Sequence, residues 1–332
     1  MTSMTSMTSS VVASMEAQTV KTRVIILSDT HNKKPCTEAN STLAYRAPLP
    51  HADLLLHAGD LTRSGKLIEH KAQIEMMKDH PAELKIIVPG NHDITLDKSY
   101  YANKQWSHLQ PEDTGVIEEL YTGSAAKQAG IVLMKEGVQS FRLSNGAKFT
   151  VYASAYQPEF CGWAFAYKRD QDRFNPAPAV SRRSGGFPPN PIPSHPEIDI
   201  VVTHGPPHGI LDKVLHMSRQ MDSSVGCHNL LQAVKRCRPR LHAFGHIHEG
   251  WGAERMKWST LENSADEKEK HRSEIDKDKV FQERAAFLDV SSGSEHPLRF
   301  GQETLFINAS IMNVNYIPSN APWIVDLDLP LA

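Results

Sequence analysis

The sequence predicts an α/β fold carried by one large domain. Short apolar runs recur along the chain, a segment between two of them repeats apolar residues every four positions, and polar motifs recur where an apolar run ends. The runs at 24–27, 54–56, 86–88, 149–152, 200–203, 241–244 and 305–307 are rich in leucine and β-branched residues and read as buried strands. Between the second and third, residues 65–80 place Ile68, Ala72 and Met76 on one face, which predicts a helix covering a sheet. Another helix is predicted after Gly226, with Leu230, Leu231 and Val234 apolar and Pro239 unable to continue it.

Two stretches break the pattern. Residues 167–196, crowded with Pro, Gly and Arg, predict a long surface loop. Residues 262–283 are dense in Glu, Asp, Lys and Arg and read as a solvated insertion or exposed helix, so a second insertion is expected across 255–290. The start, MTSMTSMTSS, lacks the basic and apolar regions of a secretory signal. Residues 1–21 are expected to be a disordered tail and residues 22–332 the domain.

Composition excludes several classes. With 332 residues, 40% of them hydrophobic, the chain can bury a sizeable core. Its 36 Lys and Arg against 38 Asp and Glu give no global field to hold nucleic acid or an anionic membrane. No apolar run is long enough to cross a bilayer, so no membrane partner is expected. Cys36, Cys161, Cys227 and Cys237 form no CxxC pair, which fits a reducing, cytoplasmic setting.

The chemistry gathers in five motifs, each placing Asp, His or Asn where a strand should give way to a loop. They are Asp29 and His31 in SDTH, Asp60 in HAGD, Asn91 and His92 in PGNHD, His204 in THGPP, and His246 and His248 in FGHIH. Loops beyond strand ends are where open α/β sheets hold ligands. Any one of these residues alone reads as a cap or a satisfied polar group. Together they offer carboxylate, imidazole and amide donors without thiolate, a mix that suits Mn, Fe, Zn or Mg and argues against a cysteine-built zinc site. In Asp-x-His and His-x-His, an extended segment would point both side chains the same way, so one strand end delivers two ligands. Asp60, standing between the other motifs, is the expected bridge between two cations. Gly59, Gly90, Gly205 and Gly245 beside these residues permit close backbone approach.

The order DxH, GD, GNHD, THGPP and GHIH resembles the calcineurin-like metallophosphoesterase superfamily. The strings CGWAF, THGPPHGILD, RPRLHAFGHIHEGWG and TLFINASIMNVNY are similar to its metallophosphoesterase-domain (MPPED-type) group, so the resemblance covers roughly residues 23–329. It implies a two-sheet β-sandwich flanked by helices in four layers, αββα. It also implies two divalent metal ions, manganese foremost, with iron, zinc and magnesium served by the same donors. Asp29, His31, His248 and Asp60 would hold the first, and Asp60, Asn91, His204 and His246 the second. His92 would stay free of both and protonate or stabilise the leaving oxygen. The cations would draw the phosphate oxygens, and hydroxide would attack phosphorus in line with the leaving group.

Some residues have two readings. Asp93 either orients His92 or caps the following helix. His57 and His208 either support the site or are hydrogen-bonded core. Trp163, Phe165 and Trp251 either stack on substrate or fill core.

Where protein phosphatases of the superfamily carry GDxxDRG, this chain reads GDLTRSG, with Arg63 and Ser64 in place of Asp and Arg. That departure counts against a protein phosphatase, and the resemblance to the metallophosphoesterase-domain group implies a phosphodiesterase acting on small-molecule or cyclic nucleotide phosphodiesters. The alternatives are a phosphomonoesterase or nucleotidase, and a weakly active metal-binding scaffold. The expected partner is a small phosphate ester; the sequence leaves the oligomeric state open.

Overall fold

The computed structural model describes residues 18–104, 111–176, 190–215, 222–258 and 269–332. In chain order, β1 (Thr19–Leu27), β2 (Leu54–His57), helix α1 (Leu67–Asp79) and β3 (Leu84–Ile87) alternate strand with helix. A short 3-10 turn (Ile94–Leu96), α2 (Lys98–Asn103), α3 (Thr114–Thr122) and α4 (Ser124–Gln128) lead to β4 (Ile131–Leu133). Then come β5 (Gly137–Arg142), β6 (Lys148–Ser154), the short β7 (Gln157–Pro158) and β8 (Ala166–Tyr167), β9 (Ile200–Thr203), β10 (Lys213–Leu215) and β11 (Asp222–Ser224). The remainder is α5 (His228–Cys237), β12 (Leu241–Phe244), β13 (Gly252–Lys257), β14 (Glu269–Arg272), α6 (Lys277–Glu283), β15 (Ala286–Asp289), β16 (Glu303–Asn308) and β17 (Trp323–Pro330).

These strands make a six-stranded sheet, β15-β17-β1-β2-β3-β4, and a seven-stranded sheet, β14-β13-β16-β12-β9-β6-β5. Alternation along each strand explains how they stack. On one side, Val24, Ile26, Leu54 and Leu56 meet Val151, Val202, Ala243 and Ile307 in a core between the sheets. Their neighbours Ile25, Leu27 and Leu55 face outward against Ile74 and Met77 of α1 and Ile117 of α3. Tyr152, Val201 and Phe306 face outward from the second sheet against Leu230, Leu231 and Val234 of α5. With successive side chains on opposite faces, each central strand serves two apolar layers at once. The result is the four-layer αββα sandwich.

The parallel strands β1, β2 and β3 of one sheet, and β6, β9 and β12 of the other, end on the same side of the molecule. A parallel bridge between Ser28 and Ser310 ties the sheets together there, with the Ser28 N–H donating to the Ala309 carbonyl at 2.9 Å.

Several expectations shift. β1 begins at Thr19, not at 22, because Thr19, Val20 and Lys21 pair with Pro330, Leu329 and Asp328 of β17. The expected tail at 1–17 lies outside the described residues. The predicted helix is present as α1, and Met76 of the expected face is buried, but Ile68 is 73% exposed, so the buried side is turned from the one expected. The buried face runs through Glu69, His70, Gln73, Ile74, Met76 and Met77. It includes polar groups that find partners: His70 contacts the Tyr121 hydroxyl at 2.6 Å and Thr95 at 2.9 Å, and Gln73 accepts from Thr30 at 2.9 Å.

Within the 255–290 insertion, α6 is the exposed helix that was one of the two expectations, while β14 and β15 add strands that were not expected. The two strands lie at sheet edges and α6 buries Val280 alone, so a largely charged composition is compatible with regular structure. In the 167–196 loop, Phe174 and Ile192 pack into the core beneath α5. Residues 177–189 and 259–268 lie outside the described residues.

At the far end of β16 from the motifs, buried Glu303 takes hydrogen bonds from the side chains of Arg255 and Arg299. Burial alone would raise its carboxyl pKa; these arginines outweigh it and hold it at about 2 against an ordinary 4.5. A depressed folded-state pKa stabilises above the unfolded value and loses that contribution as pH falls from 4.5 towards 2. Glu303→Gln should therefore lower stability on the order of 1 kcal/mol at neutral pH. Thermal melts of variant and parent should converge as the pH is lowered through that window.

Candidate metal centre

The five motifs lie beyond strand ends, as expected: Asp29 and His31 after β1, Asp60 after β2, Asn91 and His92 after β3, His204 after β9, and His246 and His248 after β12. The backbone ladder continues past the strands to carry them. Asp29 N–H donates to the Gly59 carbonyl at 2.8 Å, His31 N–H to the Asp60 carbonyl at 2.9 Å, and Gly245 N–H to the His204 carbonyl at 3.0 Å.

The paired ligands do not arise by strand alternation, however. Asp29, His31, Asp60 and His246 have φ of 55°, 42°, 55° and 66°, in the left-handed region that side chains bearing a Cβ enter at a cost. Left-handed turns, not extended backbone, turn Asp29 and His31 inward together. Local bonds hold them: the His246 N–H donates to Asp29 Oδ2 at 3.0 Å and the His92 N–H to Asp60 Oδ1 at 2.8 Å. Close approach by glycine is also needed. A Cβ on Gly90 would fall 2.3 Å from Asp60 Oδ1, and one on Gly245 would fall 2.1 Å from Asp29 Oδ2.

The side chains form adjoining groups. Asp29, His31 and His248 make one and Asp60, His204 and His246 another, while His31, Asp60 and His92 lie between, with ligand atoms in each group within 4.8 Å of one another. Asp60 spans them: Oδ2 lies 3.7 Å from His31 Nε2 and Oδ1 lies 3.5 Å from His204 Nε2. Asn91 Oδ1 stands 2.9 Å from His204 Nε2.

The histidine tautomers show what this arrangement is suited to hold. His31 Nδ1 faces the Thr62 carbonyl at 3.2 Å, and His248 Nδ1 faces the Asn313 carbonyl at 3.1 Å. A carbonyl can only accept, so each Nδ1 donates and each neutral Nε2 carries a lone pair. Those two Nε2 atoms point at each other at 3.3 Å, with Asp29 Oδ1 3.5 Å from His248 Nε2. His204 Nδ1 likewise donates to Ala58 at 2.9 Å, turning its Nε2 toward Asp60. Converging lone pairs and carboxylates need protons or cations among them, and imidazoles fixed by backbone carbonyls are the usual second support of metal ligands. The donor set fits a pair of divalent cations.

The proton affinities agree. Burial would raise Asp29 and Asp60, but the imidazoles of His248 and His204 respectively outweigh it and hold both carboxyls well below their usual range. Burial would lower His204, but Asp60 raises it to about 9. Burial dominates at His31 and His246, pushing them down to about 4 and about 3. Cations entering the site displace protons from this set.

Residues with two readings now separate. Asp93 does neither of the things expected of it: its carboxylate accepts from the N–H groups of Gly90 and Thr62, each at 2.8 Å, and from the Thr62 hydroxyl at 2.7 Å, clamping the Asp60 loop to the Asn91 loop. His57 is buried and bonds Thr30, a structural role. His208 stacks on His228, with ring centroids 3.6 Å apart. Phe165, Trp251 and Trp163 all pack against core, and Trp163 also stacks on His92 with centroids 4.0 Å apart. Tyr316, which sequence reasoning did not single out, sets its ring 4.9 Å from His31 and 5.2 Å from His248. The signal lay in its string, TLFINASIMNVNY. A cavity of about 470 Å³ opens over the cluster, walled by Phe160, Trp163, Val314 and Tyr316, with Arg169 at its edge. The four cysteines are free, and no helix among the described residues is long and apolar enough to cross a membrane.

Comparison with known proteins adds to this geometry. A family model described as calcineurin-like phosphoesterase matches residues 22–250. Metallophosphoesterase domain-containing protein 1 of Homo sapiens is 30% identical over 312 residues, covering 93% of this chain and 72% of that protein, and its Mus musculus counterpart gives the same values. A UPF0046 protein of Caenorhabditis elegans is 30% identical over 213 residues, covering 61% of this chain and 48% of that protein. Among solved structures, a phosphopantetheinyl hydrolase from Mycobacterium tuberculosis aligns with TM-score 0.39 and 15% identity, covering 72% of this chain and 86% of that one.

Gly245→Ala tests the close packing around Asp29. Crowding Asp29 should weaken divalent-metal binding by about tenfold or more, read by calorimetry, with the circular dichroism spectrum retained. Gly293→Ala, where a Cβ meets nothing within 4 Å, should bind as the parent does.

Proposed function

Because the chain belongs to the calcineurin-like phosphoesterase family, we propose that it is a dinuclear-metal phosphodiesterase acting on small-molecule phosphodiesters, cyclic nucleotides among them. The observation that carries the reading is the convergence of His31 and His248 lone pairs beside Asp29 and Asp60. Asp29, His31, His248 and Asp60 would hold one cation, and Asp60, Asn91, His204 and His246 the other, with manganese the first choice. When bound, the pair supplies the positive charge that draws phosphate oxygens and acidifies the attacking water.

The chain's own part begins with Asp60, which offers one oxygen to each side of the cluster. Carbonyls of Thr62, Asn313 and Ala58 hold three imidazoles in the ligating tautomer. His92 donates Nδ1–H to the Arg63 carbonyl at 2.8 Å, which fixes the direction of Nε2; in the doubly protonated imidazolium form, Nε2 carries the second proton and passes it to the departing oxygen. The attacking water gives up a proton to solvent as its oxygen bonds to phosphorus, the ester P–O bond breaks, and the leaving alkoxide takes the Nε2 proton of the His92 imidazolium, which is then reprotonated from solvent.

The cavity walls favour a diester. A diester carries a second organic arm, and Phe160, Trp163, Val314 and Tyr316 offer apolar surface for it. A monoester dianion asks for more positive charge. Among the described residues lining the cavity, Arg169 alone is a fixed cation, and it already donates to the Val225 carbonyl.

Metal-stripped protein should be inactive and should regain hydrolysis of bis(p-nitrophenyl) phosphate with added manganese, faster than that of p-nitrophenyl phosphate. The reverse preference overturns the diester reading, and silence with every added metal overturns catalysis. His92→Ala should lower kcat about 10²-fold or more with metal content unchanged. Asp60→Asn should lower metal content itself, read by elemental analysis.

A further inference from the structure

We propose that Trp163 is the positioning residue for His92, and that the loop carrying it is built to press the indole against that imidazole. The inference rests on the general-acid role of His92 given above.

Among the described residues, the His92 ring itself has one hydrogen bond, from Nδ1 to the Arg63 carbonyl at 2.8 Å. A single bond leaves a ring free to swing about it. Trp163 removes that freedom: its ring lies 4.0 Å from the imidazole at an interplanar angle of 29°. His31 meets His92 edge-on at 4.7 Å, with an interplanar angle of 84°. One contact covers a face of the imidazole, the other meets it nearly at right angles, and the hydrogen bond fixes the direction of Nε2.

The loop has the features of a built support. Gln157 N–H donates to the Phe165 carbonyl at 3.0 Å and its side-chain amide to the Ala164 carbonyl at 2.8 Å, closing the loop at its base. Cys161, Gly162 and Phe165 have φ of 49°, 66° and 53°, so the turn around the indole is tightly coiled. The chain leaving His92 returns to grip this turn. Asp97, just past the 3-10 turn that follows the Asn91 motif, accepts from the Phe165 N–H at 2.9 Å, and the Tyr100 hydroxyl donates to the Gly162 carbonyl at 2.8 Å. His92 and the indole that packs on it are thus coupled through one short stretch of backbone. Tyr100 does not line the cavity over the metal cluster, so its effect on turnover must pass through the loop.

A proton donor matters most when the leaving group is poor, and this gives the test. The probes are aryl phosphate esters, of whichever class the parent hydrolyses, with leaving phenols from p-nitrophenol to unsubstituted phenol. Trp163→Ala should lower kcat about tenfold more for phenol than for p-nitrophenol, with metal content unchanged, and Trp163→Phe should recover part of the loss. Tyr100→Phe should shift kcat in the same sense by a smaller factor, with KM little changed. Equal loss across the series, a change confined to KM, or loss of metal would overturn the proposal. His92→Ala is the reference: if it too lacks leaving-group dependence, the general-acid reading fails; if it shows the dependence and Trp163→Ala does not, the positioning role fails.

Discussion

Everything at the centre of this protein depends on keeping one negative charge, that of Asp60, out of water. A buried carboxylate is costly unless the surrounding chain satisfies it. Here its main-chain carbonyl takes the His31 N–H, one side-chain oxygen takes the His92 N–H and faces His204, and the other oxygen faces His31. Four of the five motifs are thereby referred to a single residue. Asp93 reinforces the arrangement from beneath, because its carboxylate ties the loop that follows Asp60 to the loop that carries Asn91 and His92.

The two sheets make that possible by ending together. Packing of Val24, Ile26 and Leu56 against Val202, Ala243 and Ile307 sets the sheets face to face, and the Ser28 to Ser310 bridge brings their ends into contact. Asp29 and Asp60 come from one sheet and His204 and His246 from the other. The centre is therefore an interface between two half-structures, and it is complete only when both have folded onto the same apolar core.

Much of this was legible in the sequence because the signal was local. Short apolar runs marked the central strands, and each motif sat where a strand ended, so the residues that gather in the cluster could be named from the sequence, while their division between two cations followed from the family resemblance. Legibility failed where a side chain's environment came from elsewhere. The buried face of α1 carries His70 and Gln73, which pair with Tyr121, Thr95 and Thr30, so a count of apolar positions selected Ile68 on the wrong side. The edge strands β14 and β15 read as solvated chain because one flank of an edge faces water. Trp163 and Tyr316 look like any core aromatics until the fold sets them against His92 and His31. The left-handed backbone at Asp29 and His31 has no signature in composition at all.

That backbone has a consequence for how the family can change. Among residues with a Cβ, asparagine and aspartate are the ones that occupy left-handed positions most readily, and glycine occupies them freely. At Asp29, Asp60 and His246, replacement by asparagine or glycine could therefore keep the turn while removing a charge or a ligand. Catalysis and architecture are separable at these sites: a descendant could shed turnover in one step and still present the same pocket as a binding surface. The route in the other direction is harder, since a bulkier residue installed at any of these turns would disturb the loop before it could offer a new donor.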